Sequence, residues 1–121
     1  MAPLILVATA ETLLFETLSE WFDHRAFVER AGNAEAIAAR IRGEKERKIL
    51  VIVDGKRPSV TPGALAELIE PLRSVRVVLC RAAPALEEAV VSTLPSGAEW
   101  FVYREPASLD HVAAECLRLV S

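Results

Sequence analysis

The segment from Ile49 to Val53 restricts the possible folds of this chain more than any other feature of its sequence. It is an unbroken aliphatic run, mostly β-branched, that ends at the turn-forming pair Asp54 and Gly55. A strand with one solvated face alternates apolar and polar residues, whereas an unbroken run is typical of a strand covered on both faces of a parallel sheet. Parallel strands are joined by crossovers, usually helices, so the segment predicts an α/β fold with helices on both sides.

The rest of the chain alternates strand-like and helix-like patterns, as this prediction requires. Four further apolar segments are expected to be strands: Leu4 to Val7, Phe27 to Val28, Val75 to Cys80 and Trp100 to Tyr103. Between them, apolar residues recur at helical spacing. Helix starts are expected after Glu11, at Asn33, at Thr61 with Pro62, at Pro84 and at Ser108, and helix ends at Gly43 and at Pro95-Ser96-Gly97. This order predicts a doubly wound, flavodoxin-like parallel sheet of five strands in the order 2-1-3-4-5.

Length and composition predict a single domain over residues 1–121. The chain is 52% hydrophobic, which allows one well-buried core, and it is too short for two ordinary domains. The apolar start from Leu4 to Val7 is too short to cross a membrane and lacks the basic start of a signal peptide. We therefore expect a cytoplasmic protein with no membrane contact. A formal charge of -3 argues against a dedicated nucleic-acid binder.

The residue types that often carry catalysis or bind metals are not arranged for either task. Cys80 and Cys116 lie in apolar segments without another Cys or His at metal-ligand spacing, so we expect reduced core thiols. His24 and His111 have no nearby nucleophile in a motif, which favours surface or helix-terminal roles. The sequence thus predicts no disulfide, no zinc site, no cofactor and no enzymatic activity.

In a fold of this type, ligands bind at the carboxyl ends of the strands, so the residues that follow each apolar run are the candidate site. They are Thr9-Ala10-Glu11, Asp54-Gly55, Arg81-Ala82 and Arg104-Glu105-Pro106. At these positions the chain resembles the receiver domains of response regulators, over essentially its whole length. Asp54 is followed four residues later by Pro58, as the phosphoacceptor aspartate of receivers is followed by its proline. Gly97-Ala98 and Pro106 match two further receiver positions.

Four positions of this chain differ from the receiver pattern. Receivers carry two Mg²⁺-binding acids after the first strand, where this chain has Thr9 and Ala10. They carry a Ser or Thr after the fourth strand and a Lys after the fifth, and the corresponding residues here are Arg81 and Glu105. Phosphoryl transfer depends on metal and cation to neutralise charge in the transition state. The resemblance therefore implies a degenerate receiver, or pseudo-receiver, that binds no metal.

Two interpretations of Asp54 follow from the sequence. In the first it is an ordinary turn residue, since Asp-Gly after a strand is a turn signal. In the second it forms a bidentate ion pair with Arg81, because the predicted strand order makes the third and fourth strands neighbours. Such a pair would hold the loops in one state without metal or phosphate. Glu105, from the fifth strand, is expected to balance the charge of Arg81.

The fifth strand is also the candidate protein-interaction surface. Receivers bind partners mainly through their fourth helix, fifth strand and fifth helix, and this strand carries Trp100, Val102, Tyr103 and Arg104. Aromatic and Arg side chains on an exposed sheet edge are good interface anchors. The alternative is that they cap the core. Protein partners are expected, and homodimerisation is left open.

Three functions are consistent with these patterns. The first is a non-catalytic, phosphorylation-independent signalling module of a bacterial two-component system that acts through protein contacts. The second is an atypical receiver of a phosphorelay, still phosphorylated on Asp54, with Glu11 as a metal ligand. The third, a regulator similar to an anti-sigma-factor antagonist and switched on a Ser or Thr, fits the regular strand and helix alternation less well.

Overall fold

The computed structural model describes residues 2–60, 64, 75–82, 84, 87–88, 99–104 and 108–120. The strands are β1 (Leu4–Ala8), β2 (Phe27–Arg30), β3 (Ile49–Asp54), β4 (Arg76–Ala82) and β5 (Glu99–Arg104). The helices that lie wholly within the described residues are α1 (Thr12–Trp21), α2 (Ala34–Gly43) and α3 (Leu109–Leu119). Helix α3 follows the fifth strand. Ala64, Pro84, Glu87 and Glu88 are also helical, at positions where the sequence predicts the third and fourth helices.

All five strands belong to one parallel sheet in the order β2-β1-β3-β4-β5, which confirms the predicted topology. The long apolar run forms the central strand, β3, which pairs with β1 on one side and β4 on the other. Asp54 is the last residue of β3 and lies opposite Cys80 in the ladder. The first, third and fourth strands are consecutive in the sheet and end at a common edge.

The core has two layers, one on each face of the sheet. On one face, Val51 and Val53 pack with α2 residues such as Ile37. On the other face, Leu50 and Ile52 pack in a second cluster with residues of α1 and α3. Successive residues of a strand point to opposite faces, so both faces of β3 are buried. This explains why β3 is apolar from Ile49 to Val53.

The local signals at helix ends are mostly as predicted. The Asn33 side chain accepts a hydrogen bond of 2.8 Å from the backbone N–H of Ala36, and α2 ends at Gly43. The Ser108 hydroxyl accepts one of 3.2 Å from the N–H of His111. Glu11 is the N-cap of α1, but its side chain makes no capping hydrogen bond. Its carboxylate is therefore available for other contacts.

One expected strand differs from the structure in extent, and two further expected features lie outside the described residues. The fourth strand begins at Arg76 and extends to Ala82, beyond the predicted end at Cys80. The predicted helix start at Thr61 and Pro62 and the turn at residues 95–97 lie outside the described residues.

Cys80 and Cys116 are free and fully buried, and burial raises the pKa of each thiol to about 12. Within the described part of the chain, no helix has the length and apolarity to cross a membrane.

Candidate functional site

Asp54 is fully buried at the end of β3, and both of its carboxylate oxygens accept hydrogen bonds. Oδ1 accepts from Arg81 Nε at 2.9 Å and from the backbone N–H of Lys56 at 3.0 Å. Oδ2 accepts from the Thr9 hydroxyl at 2.6 Å and from Arg81 Nη2. The guanidinium thus binds the carboxylate through two nitrogens, which is the strong, directional form of this ion pair. The side-chain contact expected between Asp54 and Arg81 is confirmed.

These contacts hold Asp54 in its charged form although it is buried. Burial by itself raises the pKa of a carboxyl group, because it disfavours the charged form. Here the hydrogen bonds from Arg81, Thr9 and the Lys56 backbone, together with the charge of Arg81, outweigh burial and bring the pKa of Asp54 below its usual value. The hydrogen bond to Asp54 also raises the pKa of Arg81, so the pair stays ionised at neutral pH.

The backbone of Arg81 has an unusual conformation that the sequence pattern does not reveal. Its φ angle is 53°, in the left-handed region that long side chains rarely adopt. In the β4 and β5 ladder, Cys80 pairs with Tyr103 and Ala82 pairs with Arg104, so Arg81 is the extra residue of a β-bulge. Bulges of this kind redirect a side chain that would otherwise follow the alternation of the strand. The bulge therefore accompanies the orientation in which the Arg81 guanidinium contacts Asp54.

Glu11 supplies a second carboxylate to the same guanidinium. Its Oε2 atom accepts a hydrogen bond of 3.0 Å from Arg81 Nη2 and lies 3.7 Å from Arg57 Nε. Arg81 therefore bridges Glu11 and Asp54. From the sequence, Glu105 was expected to balance the charge of Arg81, but Glu105 lies outside the described residues. Within the described residues Glu11 makes this contact, and it also starts α1 as expected.

The loops after β1 and β3 are tied together and to the end of β2. The backbone N–H of Ala10 donates a hydrogen bond of 2.7 Å to the carbonyl of Arg57. Arg30, the last residue of β2, donates from Nε and Nη2 to the carbonyl of Thr9 at 3.2 and 3.1 Å. The Thr9 hydroxyl, besides donating to Asp54, accepts from the backbone N–H of Glu11 at 3.0 Å. These bonds fix the position of Thr9 beside Asp54.

Three cationic residues near this edge, Arg30, Lys56 and Arg57, were not predicted from the sequence. Their signal was position alone, since each lies at or just after the end of a strand. Exposed Lys and Arg residues are common in loops, so position alone does not distinguish these three from the others.

The residues of this edge do not suit a divalent metal ion. Mg²⁺ prefers near-octahedral oxygen ligands, with carboxylates among them. Thr9 and Ala10 offer no carboxylate, and the Arg81 guanidinium contacts both Asp54 and Glu11. Across the described residues, no group of three or more His, Cys, Asp and Glu could hold a metal ion. The Arg81 guanidinium thus contacts the carboxylate oxygens that a metal ion would need in a receiver-like site.

The candidate interaction residues on β5 are only partly exposed. Val102 packs against the core on one face of the sheet and Tyr103 against the core on the other. The Tyr103 ring meets the His111 ring edge to face, with centroids 5.9 Å apart. Arg104 is exposed and donates to Glu87 Oε1 at 2.8 Å. The side chain of Trp100, and the whole of Glu105 and Pro106, lie outside the described residues.

No protein-family model matches this chain, and no curated protein matches it by sequence. Solved structures do match it. A response regulator from Thermotoga maritima has a TM-score of 0.68 and 15% identity, and the match covers 99% of this chain and 98% of that one. The signal receiver domain of a signal transduction histidine kinase from Syntrophus aciditrophicus has a TM-score of 0.67 and 19% identity, with coverage of 98% and 89%.

A third structure is a response regulator from Burkholderia pseudomallei with a phosphorylated aspartic acid, a calcium ion and citrate. It has a TM-score of 0.66 and 18% identity, and the match covers 94% of this chain and 66% of that one. At these identities the likeness shows the fold. The chain has the receiver-domain fold found in two-component signalling proteins, as the sequence resemblance implied.

Proposed function

We propose that this chain is a receiver-like signalling module that acts by binding other proteins and does so without phosphorylation of Asp54. The observation that carries the proposal is the state of the Asp54 carboxylate. It is fully buried, and both oxygens accept hydrogen bonds from Arg81 and from its neighbours.

Phosphorylation of an aspartate requires one carboxylate oxygen to attack the phosphorus of a donor. The attacking oxygen must reach the donor in line with the leaving group, and nearby cations must stabilise the charge on the transferring phosphoryl group. In this site Oδ1 and Oδ2 already accept four hydrogen bonds, and the side chain has no exposed surface. A pKa below the usual value also marks a carboxylate of reduced basicity, hence a weaker nucleophile.

The same contacts suit a module that stays in one conformational state. Arg81 joins the end of β4 to the end of β3 through Asp54, and to the start of α1 through Glu11. Thr9 adds a link from β1. The cation that fixes these loops is covalently part of the chain, so no ligand has to arrive for the arrangement to form. We expect such a module to recognise its partner constitutively.

The proposed recognition surface is the outer edge of β5 together with α3. Arg104 is exposed on this strand, and Val102 and Tyr103 are partly exposed on its two opposite faces. Aromatic and Arg side chains are the residue types that most often carry binding energy in protein interfaces. The partner, on this proposal, is another protein of a two-component pathway.

The second candidate function is an atypical receiver that is still phosphorylated on Asp54. It is favoured by the position of Glu11, whose carboxylate shares Arg81 Nη2 with Asp54. If Arg81 moved away, two carboxylates would face one cavity, as a metal site requires. The Burkholderia pseudomallei protein of the same fold carries a phosphorylated aspartic acid and a calcium ion.

Incubation with acetyl phosphate and Mg²⁺, followed by intact mass spectrometry, separates the two functions. We expect no phosphate adduct on the natural chain. The matched variant Ala10→Asp with Arg81→Thr restores a carboxylate and a hydroxyl at receiver-like positions, and should gain a measurable adduct. An adduct on the natural chain that disappears in Asp54→Asn would establish the atypical receiver instead.

A further inference from the structure

Strand β2 forms one edge of the sheet, since among the described residues it pairs with β1 alone. The backbone N–H of Phe27 donates a hydrogen bond of 2.9 Å to the carbonyl of Pro3, and the N–H of Ala31, four residues later, bonds to β1 at 3.0 Å. The backbone groups of successive strand residues alternate in direction, so those of Val28 and Arg30 point away from β1. An edge strand of this kind is a template on which a further strand can pair.

The two charged residues of β2 are held by contacts within the chain. Glu29 Oε2 accepts a hydrogen bond of 2.8 Å from Arg40 Nε. Arg30 donates from Nε and Nη2 to the carbonyl of Thr9. Charged side chains on an edge strand often protect it from pairing with another chain. Here these side chains contact other parts of the protein, and the outward backbone groups of the strand are left for another chain.

A cavity of about 470 Å³ lies where this edge begins. Val28 packs with the core cluster on the α1 side of the sheet, whereas the ring of Phe27 lies 4.2 Å from the guanidinium of Arg47, in the loop after α2. Neighbouring strand residues point to opposite faces, so a cavity that contacts both Phe27 and Val28 reaches the open edge of β2. The described residues that line it are Ala2, Ser19, Asp23, His24, Ala26, Phe27 and Val28.

The part of the cavity that β2 supplies is apolar. Phe27 is 51% exposed, and Ala26 and Val28 are half-buried beside it. The volume is within the range of roughly 300–1,000 Å³ that is usual for small-molecule sites, so it has room for one large apolar side chain. When a peptide adds to a sheet edge, its main chain supplies hydrogen bonds and pockets beside the edge select alternate side chains.

Asp23 indicates the charge that the cavity accepts. Its side chain is 68% exposed, and its described ion-pair partner is His24 at 3.2 Å, which is itself 92% exposed. Arg25, the nearest cation along the chain, lies over the ring of Trp21 at 4.8 Å and is not among the described lining residues. Apart from His24, Asp23 is thus the charged side chain of the described lining, and it favours a basic group in the ligand.

We propose that the open edge of β2 binds an extended peptide segment of a partner protein. The segment places an aliphatic or aromatic side chain in the cavity and a Lys or Arg, two residues away on the same face, beside Asp23. This surface lies at the opposite edge of the sheet from β5. The inference therefore goes beyond the proposed function and does not depend on it.

The test is a titration of the ¹⁵N-labelled chain with synthetic pentapeptides, followed by backbone amide shifts. The peptides have the sequence Lys-Thr-X-Thr-Lys with blocked ends, where X is Ile, Leu or Phe, so that a Lys lies two residues from X in either strand direction. We expect saturable shifts centred on Asp23, Val28 and Arg30 for at least one of them. The control peptides Glu-Thr-X-Thr-Glu and Lys-Thr-Ala-Thr-Lys lack the basic or the large apolar side chain and should bind more weakly.

Three variants make the titration specific. Asp23→Asn should weaken binding by about two- to fivefold, as expected for an exposed ion pair. Val28→Pro removes an N–H that points away from β1, which an edge strand tolerates, and should weaken binding by about fivefold. Glu16→Gln is the matched control for Asp23→Asn, because Glu16 is an exposed acid of α1 outside the described lining, and it should leave the affinity unchanged. Circular dichroism melts check that each variant is folded, and Asp23→Asn decides the test if Val28→Pro is not.

The proposal is overturned if no peptide of the Ile, Leu and Phe series gives saturable shifts at these amides, or if the shifts centre on β5 and α3. It is also overturned if either folded variant, Asp23→Asn or Val28→Pro, binds as tightly as the natural chain. Shifts of the same amides that depend on protein concentration without peptide would mean that a second copy of the chain occupies the edge, contrary to the proposal. None of these variants alters Asp54, Arg81 or β5. Failure here therefore leaves the proposed function intact, and a phosphate adduct on Asp54 in the mass experiment leaves this inference intact.

Discussion

Arg81 combines two features that rarely occur in one residue. Its positive φ angle carries a backbone cost of about 1–2 kcal/mol for a residue with a Cβ atom. Its guanidinium forms a bidentate ion pair with a carboxylate that has no exposed surface. Glycine would relieve the backbone cost, yet it would leave Asp54 buried and without a cation. The presence of Arg at this position indicates that the ion pair outweighs the strain.

Substitution of Arg81 should therefore destabilise the domain markedly. We expect Arg81→Ala to lower the free energy of unfolding by about 3 kcal/mol, since it leaves an uncompensated buried charge. The double variant Arg81→Ala with Asp54→Ala should recover part of that loss, because the buried charge is then gone as well. Urea unfolding of the natural chain, both single variants and the double variant measures the coupling. A double variant as unstable as the two single losses added together would argue against the ion pair.

The pH dependence of stability follows from the same contacts. The pKa of Asp54 is lower in the folded chain than its unfolded value of about 3.9. The stability gained from this difference is complete above the unfolded value and is lost as pH falls through the lower folded value. Urea unfolding of the natural chain and of Asp54→Asn from pH 7 downward measures it. The natural chain should lose more stability than the variant below about pH 4, and parallel curves would contradict the prediction.

The elements that the sequence predicts well are those whose residues are buried on a regular period. The uninterrupted run of β3 and the spacing of Ile37 and Ile41 in α2 determine which faces are covered, and both were interpreted correctly. The strand β2 was weaker in the sequence because it is an edge strand of four residues with mostly exposed side chains. The short apolar segment at the start of β2 was nevertheless enough to predict its position in the chain.

The bulge in β4 could not be predicted from the pattern. Hydrophobic periodicity records which side chains are buried and contains no information on φ, and Arg81 is not the glycine that usually marks a left-handed residue. The strand was therefore expected to stop at Cys80, whereas it continues to Ala82. The closeness of Asp54 and Arg81 was nevertheless predictable, because it depends only on two neighbouring strands that end at one edge.

For the molecule as a whole, the order of the strands brings together residues that are far apart in sequence. Thr9, Asp54 and Arg81 each lie near the end of a different strand, and β1, β3 and β4 are adjacent in the sheet. The strand order thus brings Thr9, Asp54 and Arg81 to one edge of the sheet, as expected from the predicted topology. Topology does not determine side-chain conformation, so the contacts of Glu11 with Arg81 and Arg57 could not be inferred without the structure.

A last prediction concerns metal ions and the stability of the whole domain. A ligand that binds only the folded state raises the melting temperature, and the rise continues with the logarithm of the ligand concentration above the Kd. Arg81 contacts both Asp54 and Glu11. We therefore expect the melting temperature in millimolar Mg²⁺ to equal the melting temperature in EDTA. Thermal melts in Mg²⁺ and in EDTA, followed by circular dichroism, test this directly.

The matched variant for this experiment is again Ala10→Asp with Arg81→Thr. It removes the guanidinium and adds a carboxylate on the exposed residue after Thr9, so Asp54, Glu11 and the new aspartate become available to one cation. Its melting temperature should rise with Mg²⁺, whereas that of the natural chain should not. A rise in the natural chain that grows with Mg²⁺ concentration and disappears in Asp54→Asn would mean that a metal ion displaces Arg81. The phosphorylated alternative would then be the better account of this site.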